Sequence, residues 1–376
     1  MKVFLYAIWA QVLCNAYIAW QSSKLLSCKP LARRITLIAI AVEFALYLTG
    51  YFCRKILSDS LFDIIVVVCN AWYIASIYLS MGLILMQAIR LSDRLWKWYP
   101  ARIRAGLPRI RVASLALLLF AVIALMFKGY YNANYPAVKH IDIQLAKHIA
   151  GRDSLTIAVM SDLHFGERIG RENAKRYVDL CNAQHPDIVV LPGDLIDYES
   201  HFAIREHIED ELRRLEAPLG VYITPGNHEY RANRLAKLQW LRQTGGIVLI
   251  DSVAMPTPDF YIVGRDDAIN KRRAALSVIM RNLDRTKPII LLDHQPTRLS
   301  EEVMNGVDLA IHGHTHNGQI WPNSLVLSLY YELSYGYGRK GDTQFYVTSG
   351  TGFAGPPFRI GTRSEIAVIH IRFGKK

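Results

Sequence analysis

Between residues 155 and 316 the chain repeats one layout five times, in which a short apolar run ends in side chains that can bind a metal ion. The five runs and the polar residues that follow them are Leu155–Met160 with Asp162 and His164, Ile188–Leu191 with Asp194, Val221–Ile223 with Asn227 and His228, Ile289–Leu292 with His294, and Val307–Ile311 with His314 and His316. Short apolar runs bounded by Gly and Pro are typical of strands buried on both faces. Such sheets gather their ligands in the crevice beyond the strand ends, so we expect these polar side chains to converge at one site.

The composition of these side chains suits a metal site. They supply only carboxylate, amide and imidazole groups, and this mixed oxygen and nitrogen set favours manganese, iron or zinc over calcium. Gly193, Gly226 and Gly313 stand at three of the junctions, where glycine lets the backbone turn sharply and approach an ion closely. No cysteine belongs to the set, so the pattern favours a metal site over a nucleophile site.

In this order the polar blocks resemble those of the calcineurin-like metallophosphoesterase superfamily, in its membrane-anchored bacterial branch. The blocks are Asp162-Leu163-His164, Gly193-Asp194-Leu195-Ile196-Asp197, Gly226-Asn227-His228-Glu229, Asp293-His294 and Gly313-His314-Thr315-His316. Any single block occurs by accident in many chains, whereas the full ordered set, over roughly residues 150–370, is specific.

The resemblance implies two divalent metal ions as cofactors. It assigns the first ion to Asp162, His164, Asp194 and His316, and the second to Asp194, Asn227, His294 and His314. Asp194 would bridge the two ions, because a carboxylate offers two oxygens and a negative charge. Two such cations, roughly 3.5–4 Å apart, stabilise the phosphoryl charge during in-line displacement and acidify a water molecule.

The same resemblance implies a catalytic pair. His228, beside Asn227, would donate a proton to the leaving oxygen or stabilise the transition state, and Asp197 would orient its imidazole. Glu229 is a weaker candidate for a supporting role. The alternative for all these residues is a buried polar network in a metal-free fold, which the complete set of seven expected ligands disfavours.

Two positions depart from the pattern of that bacterial branch. Asn317-Gly318-Gln319 stands where many members have Gly-Gly-Gln, and Ser364 stands where a proline often precedes Glu365. Neither change touches an expected ligand. They therefore bear on the subfamily and the substrate rather than on the metal site.

The first third of the chain has the composition of a membrane region. Four long apolar stretches lie near residues 3–20, 35–52, 64–89 and 112–127, each of spanning length or close to it. We therefore expect two domains: a transmembrane region of about four helices over residues 1–130 and a metallophosphoesterase domain over residues 131–376. A signal peptide over residues 3–20 is the alternative for the first stretch.

Charge divides the chain in the same way and predicts its orientation. The formal net charge is +12, yet residues 1–129 hold 15 of the 44 Lys and Arg and only 4 of the 32 Asp and Glu. The excess thus belongs to the membrane region, and nucleic-acid binding loses its main support. Eleven Lys and Arg in the two loops after the first and third stretches mark the cytoplasmic side. This places the catalytic domain outside the cytoplasm, in an integral protein of the cell membrane.

Two features of the membrane region allow more than one interpretation. Glu43 lies within the second apolar stretch, where an ionisable group is a functional candidate. A structural hydrogen bond to Asn70 or Ser76 is the interpretation we favour. The five cysteines permit an oxidising compartment without indicating one, because Cys181 is alone in the catalytic half.

Between the ligand-bearing runs the pattern becomes helical, at about residues 171–184, 203–216, 231–243 and 274–284. Alternating strands and helices indicate an α/β fold with stacked sheets and outer helices. The family resemblance sharpens this to a four-layer α/β/β/α sandwich, with residues 137–145 and 365–373 as outer strands and an all-α transmembrane region before it.

The expected function is hydrolysis of phosphate monoesters or diesters, with lipid head groups as candidate substrates, because a tether holds the site near the bilayer. The segment 325–338 is either a lid or acyl-contacting wall, or an aromatic-rich strand pair in the core. An alternative enzyme is a UDP-2,3-diacylglucosamine pyrophosphatase-like hydrolase, which an external site disfavours. An alternative of another class is a non-catalytic membrane receptor or scaffold with the same fold.

Overall fold

The computed structural model describes residues 2–53, 56–100, 102–103, 106–149 and 151–374. The chain forms two compact units, Met1–Phe127 and Lys128–Lys376. This division lies three residues before the expected end of the membrane region at residue 130.

The first unit consists of long helices that cover the four predicted apolar stretches. They are α1 (Lys2–Leu25), α2 (Pro30–Phe52), α3 (Asp59–Trp96) and α4 (Leu107–Asn134), the last of which continues into the second unit. Pro30 is the first residue of α2, where its missing N–H costs no helical hydrogen bond. Within the described residues, two segments are long and apolar enough to cross a membrane by length and composition, Ile64–Trp96 and Arg109–Asn134.

Glu43 is buried in this unit, but its partners differ from those we expected. Gln11 Nε2 donates to Glu43 Oε1 at 2.7 Å, and Asn15 Nδ2 donates to Oε2 at 3.3 Å. Asn15 also accepts a hydrogen bond from the indole of Trp72 at 2.8 Å. The expected partners Asn70 and Ser76 were wrong because α1, rather than α3, presents the amides, one helical turn apart on a single face.

In the described residues of the second unit, twelve strands form the frame. They are β1 (Ala137–Leu145), β2 (Ser154–Val159), β3 (Ile188–Pro192), β4 (Val221–Thr224), β5 (Ile247–Val248), β6 (Ser252–Thr257), β7 (Phe260–Gly264), β8 (Ile289–Leu292), β9 (Leu309–His312), β10 (Gly336–Lys340), β11 (Thr343–Val347) and β12 (Glu365–Phe373). One six-stranded sheet has the order β1-β12-β2-β3-β4-β5, and the other has the order β10-β11-β9-β8-β7-β6. The predicted outer strands 137–145 and 365–373 pair with each other in parallel.

The two sheets pack face to face and carry helices on their outer faces. A shared core between the sheets includes Ile157, Val190, Ile290 and Ile311. A second core, with Tyr177 and Trp240, lies between the first sheet and its helices, and a third, with Leu276 and Leu299, covers the other sheet. This arrangement confirms the predicted four-layer α/β/β/α sandwich, in which each apolar sheet face is buried against another layer.

The helices of this unit follow the predicted pattern in part. They are α5 (Arg171–Asn182), α6 (His201–Arg205), α7 (Ile208–Leu212), α8 (Arg234–Gln243), α9 (Leu276–Ile279), α10 (Leu299–Met304) and α11 (Asn323–Tyr330). The helix expected over 203–216 is two short helices, because His207 adopts a left-handed backbone with φ 52°. The helix expected over 274–284 is a single turn. In the segment 325–338, the core strand pair is wrong for the first part, where residues up to Tyr330 form the exposed helix α11. The end of the segment, from Gly336, belongs to strand β10.

Candidate metal centre

Both sheets contribute to one cluster of polar side chains. In the first sheet, Asp162 and His164 follow β2, Asp194 follows β3, and Asn227 follows β4. In the second sheet, His294 follows β8, while His314 and His316 follow β9. The carboxyl ends of these five strands thus meet in one crevice that both sheets line, as the sequence predicted.

Five of the seven expected ligands have a left-handed backbone. The φ angles are 55° at Asp162, 48° at His164, 54° at Asp194, 71° at His314 and 49° at His316. Such a conformation costs a residue other than glycine about 1–3 kcal/mol and persists only where the surrounding structure imposes it. Its concentration at one cluster indicates that the backbone is bent to aim these side chains.

The glycines at the junctions are required by space. A Cβ on Gly193 would lie 2.5 Å from Nδ1 of His294, and one on Gly226 would lie 2.2 Å from Oδ1 of Asp194. Both separations are far below a normal contact, so any larger residue would displace an expected ligand. Glycine is therefore what allows the loops after β3 and β4 to approach each other.

The first group of candidate ligands consists of Asp162, His164 and His316, all buried. The Nε2 atoms of the two histidines lie 3.0 Å apart. Oδ1 of Asp162 is 3.4 Å from Nε2 of His316 and 4.0 Å from Nε2 of His164. Three candidate ligand atoms therefore face one small space, and a bound cation would stabilise this arrangement.

The second group consists of Asp194, His294 and His314. Nε2 of His294 lies 3.1 Å from Oδ2 of Asp194, while Nδ1 of the same ring faces the carbonyl of Pro192 at 2.8 Å. Oδ1 of Asn227 is buried nearby in the same loop system and has no hydrogen-bond partner. A buried amide oxygen left unpaired is costly, and metal ligation would satisfy it.

Asp194 belongs to more than one group. Besides the second group, it lies with His164 and His228 in a third set of close ligand atoms, and Nε2 of His228 is 3.9 Å from its Oδ2. Burial alone would raise the pKa of Asp194, yet the imidazole of His294, followed by those of His228 and His164, holds that pKa well below its usual range. Asp194 is thus ionised at the position where a bridging ligand is expected.

The seven residues fit a divalent metal site. Their donors are carboxylate, amide and imidazole, and the buried Oδ1 of Asn227 lacks a hydrogen-bond partner. Burial and the charge of His294 lower the pKa of His314 to about 3. Burial, and then Arg359, hold the pKa of His316 well below its ordinary value. Both rings are therefore neutral, the form in which imidazole binds a metal.

The expected catalytic pair is also in contact. Nδ1 of His228 lies 2.8 Å from Oδ1 of Asp197 and 3.1 Å from the carbonyl oxygen of the same residue. Asp197 also lies 3.6 Å from Nδ1 of His164. Burial would raise the pKa of Asp197, but hydrogen bonds from His164 and His228 hold it below its usual range. An ionised Asp197 fixes the proton of His228 on Nδ1 and leaves Nε2 facing the cluster.

Glu229 has a larger role than its sequence position suggested. Its side chain is fully buried, and its two carboxylate oxygens accept the backbone N–H groups of Asp194, Leu195, Ile196 and Gly226 at 2.7–3.1 Å. Charge-assisted hydrogen bonds of this kind are roughly twice as strong as neutral ones. Glu229 therefore holds together the loops that carry Asp194 and Asn227.

Two buried cations support the cluster and were not predicted. Nζ of Lys237 donates to the carbonyls of His228 at 2.6 Å and Asp197 at 3.1 Å. Arg359 lies against His316, with Nη2 2.8 Å from Nδ1 of that ring and Nη1 3.2 Å from its carbonyl oxygen. Lys237 is on a helix and Arg359 is in a loop, where a basic residue is ordinarily on the surface, so neither carries a signal in the sequence.

Three consecutive charged residues after β7, Arg265, Asp266 and Asp267, are buried. Arg265 pairs with Asp293 at 3.2 Å, directly before His294. Asp266 accepts from the hydroxyl of Tyr230 at 2.5 Å, and Asp267 accepts from the amide of Gln295 at 2.9 Å. These residues follow β7 into the loops beside His294, where ion pairs and hydrogen bonds offset the cost of burial.

The departure at Ser364 also has a structural explanation. Its hydroxyl is buried and donates to the carbonyl of Ala133 at 2.9 Å and lies 3.2 Å from that of Gly352. The backbone N–H of Ser364 donates to Asn132 at 3.0 Å, a bond that proline could not make. Serine at this position thus joins the start of the second unit to its last strand.

Residues 155–318 match the family model described as calcineurin-like phosphoesterase. An uncharacterized metallophosphoesterase of Campylobacter jejuni is 30% identical over 271 residues, which cover 70% of this chain and 71% of that protein. A transmembrane protein with a metallophosphoesterase domain from Danio rerio is 31% identical over 279 residues, or 70% of this chain and 63% of that protein. A protein of Caenorhabditis elegans named as a metallophosphoesterase is 30% identical over 301 residues. The match covers 59% of this worm protein and 63% of the Danio rerio protein, so the chain spans less than two thirds of the length of either animal relative.

Proposed function

This chain belongs to the calcineurin-like phosphoesterase family, and on that premise we propose that it is a membrane-anchored, dinuclear metal-dependent phosphoesterase that hydrolyses phosphate monoesters or diesters. One observation carries the proposal: Asp194 belongs to two sets of close candidate ligand atoms, one with His164 and His228 and the other with His294 and His314. A carboxylate shared by two ligand groups is what a two-metal phosphoesterase requires. None of the seven expected ligands is missing, whereas a purely binding relative would tolerate their loss.

The seven candidate ligands would form two metal-binding sites. Asp162, His164, Asp194 and His316 would hold one divalent ion, and Asp194, Asn227, His294 and His314 would hold the other. When bound, manganese, iron or zinc ions would supply Lewis-acid stabilisation of phosphoryl charge and acidify a water molecule. Glu229 and the glycines keep the ligand loops in place before any substrate arrives, so little reorganisation is needed during the reaction.

His228 provides the proton chemistry of the proposed reaction. Asp197 accepts from its Nδ1 at 2.8 Å, which orients the ring and keeps Nε2 directed toward the cluster. A protonated Nε2 can donate to the oxygen that leaves phosphorus, so the product departs as an alcohol rather than an alkoxide. Lys237 donates a hydrogen bond to the carbonyl of His228 and so fixes the backbone that carries the ring.

Lipid head groups are the substrate class we propose. Support comes from helix α11, which follows the last expected ligand by a few residues and has no buried residue. Leu325, Val326 and Leu329 are 57%, 62% and 90% exposed. The ring of Tyr331, at the end of this helix, lies 6.4 Å from the ring of His314. An exposed apolar helix beside a phosphoesterase site suits a substrate whose phosphate is attached to an acyl chain.

We also propose that the protein is an integral protein of the cell membrane whose catalytic unit lies outside the cytoplasm. The two apolar segments Ile64–Trp96 and Arg109–Asn134 support spanning, and relatives from Danio rerio and Bos taurus carry transmembrane protein names. The orientation depends on the Lys and Arg of the two cytoplasmic loops.

The test is hydrolysis by the purified full-length protein of p-nitrophenyl phosphate, bis-p-nitrophenyl phosphate and phospholipid vesicles, with Mn²⁺ or with EDTA. We expect turnover that needs the metal and is abolished by Asp194→Asn. Asp142→Asn, the same change on the exposed face of β1, is the matched control and should retain the wild-type rate. Turnover that survives EDTA, or that survives in Asp194→Asn, would overturn the proposed mechanism.

A further inference from the structure

The helical unit contains a basic cavity that the phosphoesterase chemistry does not use. Its volume is about 620 Å³, and its walls come from α1, α3 and α4. Four of the lining residues are basic, namely Lys24, Arg90, Arg94 and Arg111. Arg90 and Arg94 are four residues apart on α3 and so project from the same helical face.

These four cations have no anionic partner in the described part of the chain. Among the described residues, no Asp or Glu lines the cavity, and none of the four basic residues forms an ion pair with a described side chain. Lys24 lies over the ring of Trp20, 3.5 Å from its centroid. Like charges gathered around one space repel one another, so the cluster would be stabilised by an anion. Arginine in particular suits phosphate, which it can bind through two parallel hydrogen bonds.

A second cavity of about 550 Å³ adjoins the first, and Gln21 and Leu25 line both. Its walls are mainly apolar and include Ile18, Ile40, Leu79, Leu83, Leu115 and Leu119. Glu43 also lines it, but that carboxylate is occupied by the amides of Gln11 and Asn15. An anion site and an apolar cavity therefore share one wall.

We propose that the helical unit binds one anionic phospholipid, with its phosphate in the basic cavity and an acyl chain in the apolar cavity. A free phosphate or a soluble nucleotide would leave the apolar cavity unfilled, while a zwitterionic lipid would bring a cation into a cluster of four cations. The amides of Gln21 and Gln87, which line the basic cavity, can donate to the ester and glycerol oxygens between head and chain.

The position of the cavity agrees with such a ligand. Its four basic residues belong to the eleven Lys and Arg that predict the cytoplasmic side of the membrane. Anionic lipids give that leaflet its negative surface potential, and basic pockets between transmembrane helices bind anionic head groups there. The proposal does not depend on the metal centre, because every residue involved lies in Met1–Phe127.

The head-group test uses the full-length protein in detergent and measures binding of dioleoyl phosphatidylglycerol, dioleoyl phosphatidylcholine and soluble glycerophosphoglycerol by native mass spectrometry. We expect phosphatidylglycerol to bind at least about tenfold more tightly than phosphatidylcholine, because each nearby basic residue favours the anionic lipid. Equal binding of the two lipids would overturn the proposal. Equal binding of glycerophosphoglycerol and phosphatidylglycerol would identify a soluble phosphate site and would also overturn it.

Two pairs of variants locate the site. Arg90→Gln with Arg94→Gln should weaken phosphatidylglycerol binding about tenfold or more. The double variant Arg33→Gln, Arg34→Gln removes the same charge from exposed positions of α2 and should leave binding within about twofold of wild type. Equal losses in the two pairs would mean general surface attraction and would overturn the proposal. Monodisperse elution shows that a variant is folded.

The acyl chain is tested separately by filling the apolar cavity. Ala39 lines it and is exposed in the unit, so Ala39→Trp adds bulk without disturbing a packed core. This variant should also lose phosphatidylglycerol binding, while Ala41→Trp, on the same helix but away from the cavity, should keep it. Full binding by Ala39→Trp would overturn the assignment of an acyl chain to this cavity.

Discussion

Oε2 of Glu229 lies 3.0 Å from the backbone nitrogen of Asp194 and 2.7 Å from that of Gly226. One buried carboxylate thus joins the loop after β3 to the loop after β4. These loops carry Asp194 and Asn227, which come from different strands and have no covalent reason to lie together. Because the N–H groups that Glu229 binds are buried, they would be left without partners if the carboxylate were removed.

We therefore expect Glu229→Gln to destabilise the catalytic unit and loosen its metal site. The amide retains one acceptor oxygen but turns an N–H₂ group toward backbone donors, so at least one buried N–H loses its partner at a cost of about 1–3 kcal/mol. The melting temperature of the full-length protein and its metal content should both fall. Glu172→Gln, on an exposed position of α5, should change neither.

The variant His228→Ala tests whether His228 is a catalytic residue or a metal ligand. His228 lies among close ligand atoms with His164 and Asp194, so its position alone allows both roles. As a proton donor, it should lower kcat by about 10²–10⁴-fold when replaced, while the purified variant keeps the wild-type metal content by elemental analysis. Loss of metal together with activity would instead identify His228 as a ligand.

Asp197→Asn is the companion measurement for this pair. An amide can still accept from Nδ1 of His228, but it carries no charge to favour the imidazolium. We expect a smaller fall in kcat than in His228→Ala, and little further loss when the two changes are combined. Independent, multiplicative losses would show that the two residues do not act as a unit.

Much of this site can be predicted from the sequence because its strands are buried on both faces. Such strands are apolar runs that end at glycine or proline, so the runs at residues 188–191 and 289–292 correspond to β3 and β8 almost residue by residue. The ligands occupy the first polar positions after each run. Their convergence then follows from the direction of parallel strands.

The remaining features depend on tertiary contacts that leave no local pattern. Lys237 is on the amphipathic helix α8 and would ordinarily be solvated, yet it is fully buried against backbone carbonyls. The left-handed φ angles at Asp162 and His314 arise from how the loops pack. Helix α11 is apolar without a buried face, so its alternating Leu and aromatic residues were equally compatible with a strand.

Removal of the metal should destabilise the catalytic unit. The carboxylates of Asp162 and Asp194 are buried, and the backbone at both residues is left-handed, so the folded state without metal retains strain and repulsion that bound cations would offset. At metal concentrations about 100 times the dissociation constant, binding contributes about 2.7 kcal/mol. EDTA should then lower the melting temperature by about 5–10 °C, and Mn²⁺ should restore it.

The matched control for chelation is Asp194→Asn. If the thermal shift reports the site described here, EDTA should leave the melting temperature of this variant unchanged. A variant that responds to EDTA as fully as the wild type would mean that the chelated ion binds elsewhere.

Helix α11 provides the sharpest test of a lipid-linked substrate. Leu325 and Leu329 are 57% and 90% exposed, so replacing both with serine removes little packing and should change the melting temperature little. If these side chains bury in lipid or against an acyl chain, each loses about 1.5–3 kcal/mol of apolar burial. The rate on phospholipid vesicles should then fall at least about tenfold relative to the rate on p-nitrophenyl phosphate. Val278→Ser with Met304→Ser removes apolar side chains of α9 and α10 that are 56% and 79% exposed, and this control should keep the wild-type ratio of the two rates. Because Met304 precedes β9, it lies toward the edge of the sheet opposite the ligands, so an equal fall in both pairs would mean that surface hydrophobicity in general, rather than α11, brings the enzyme to lipid.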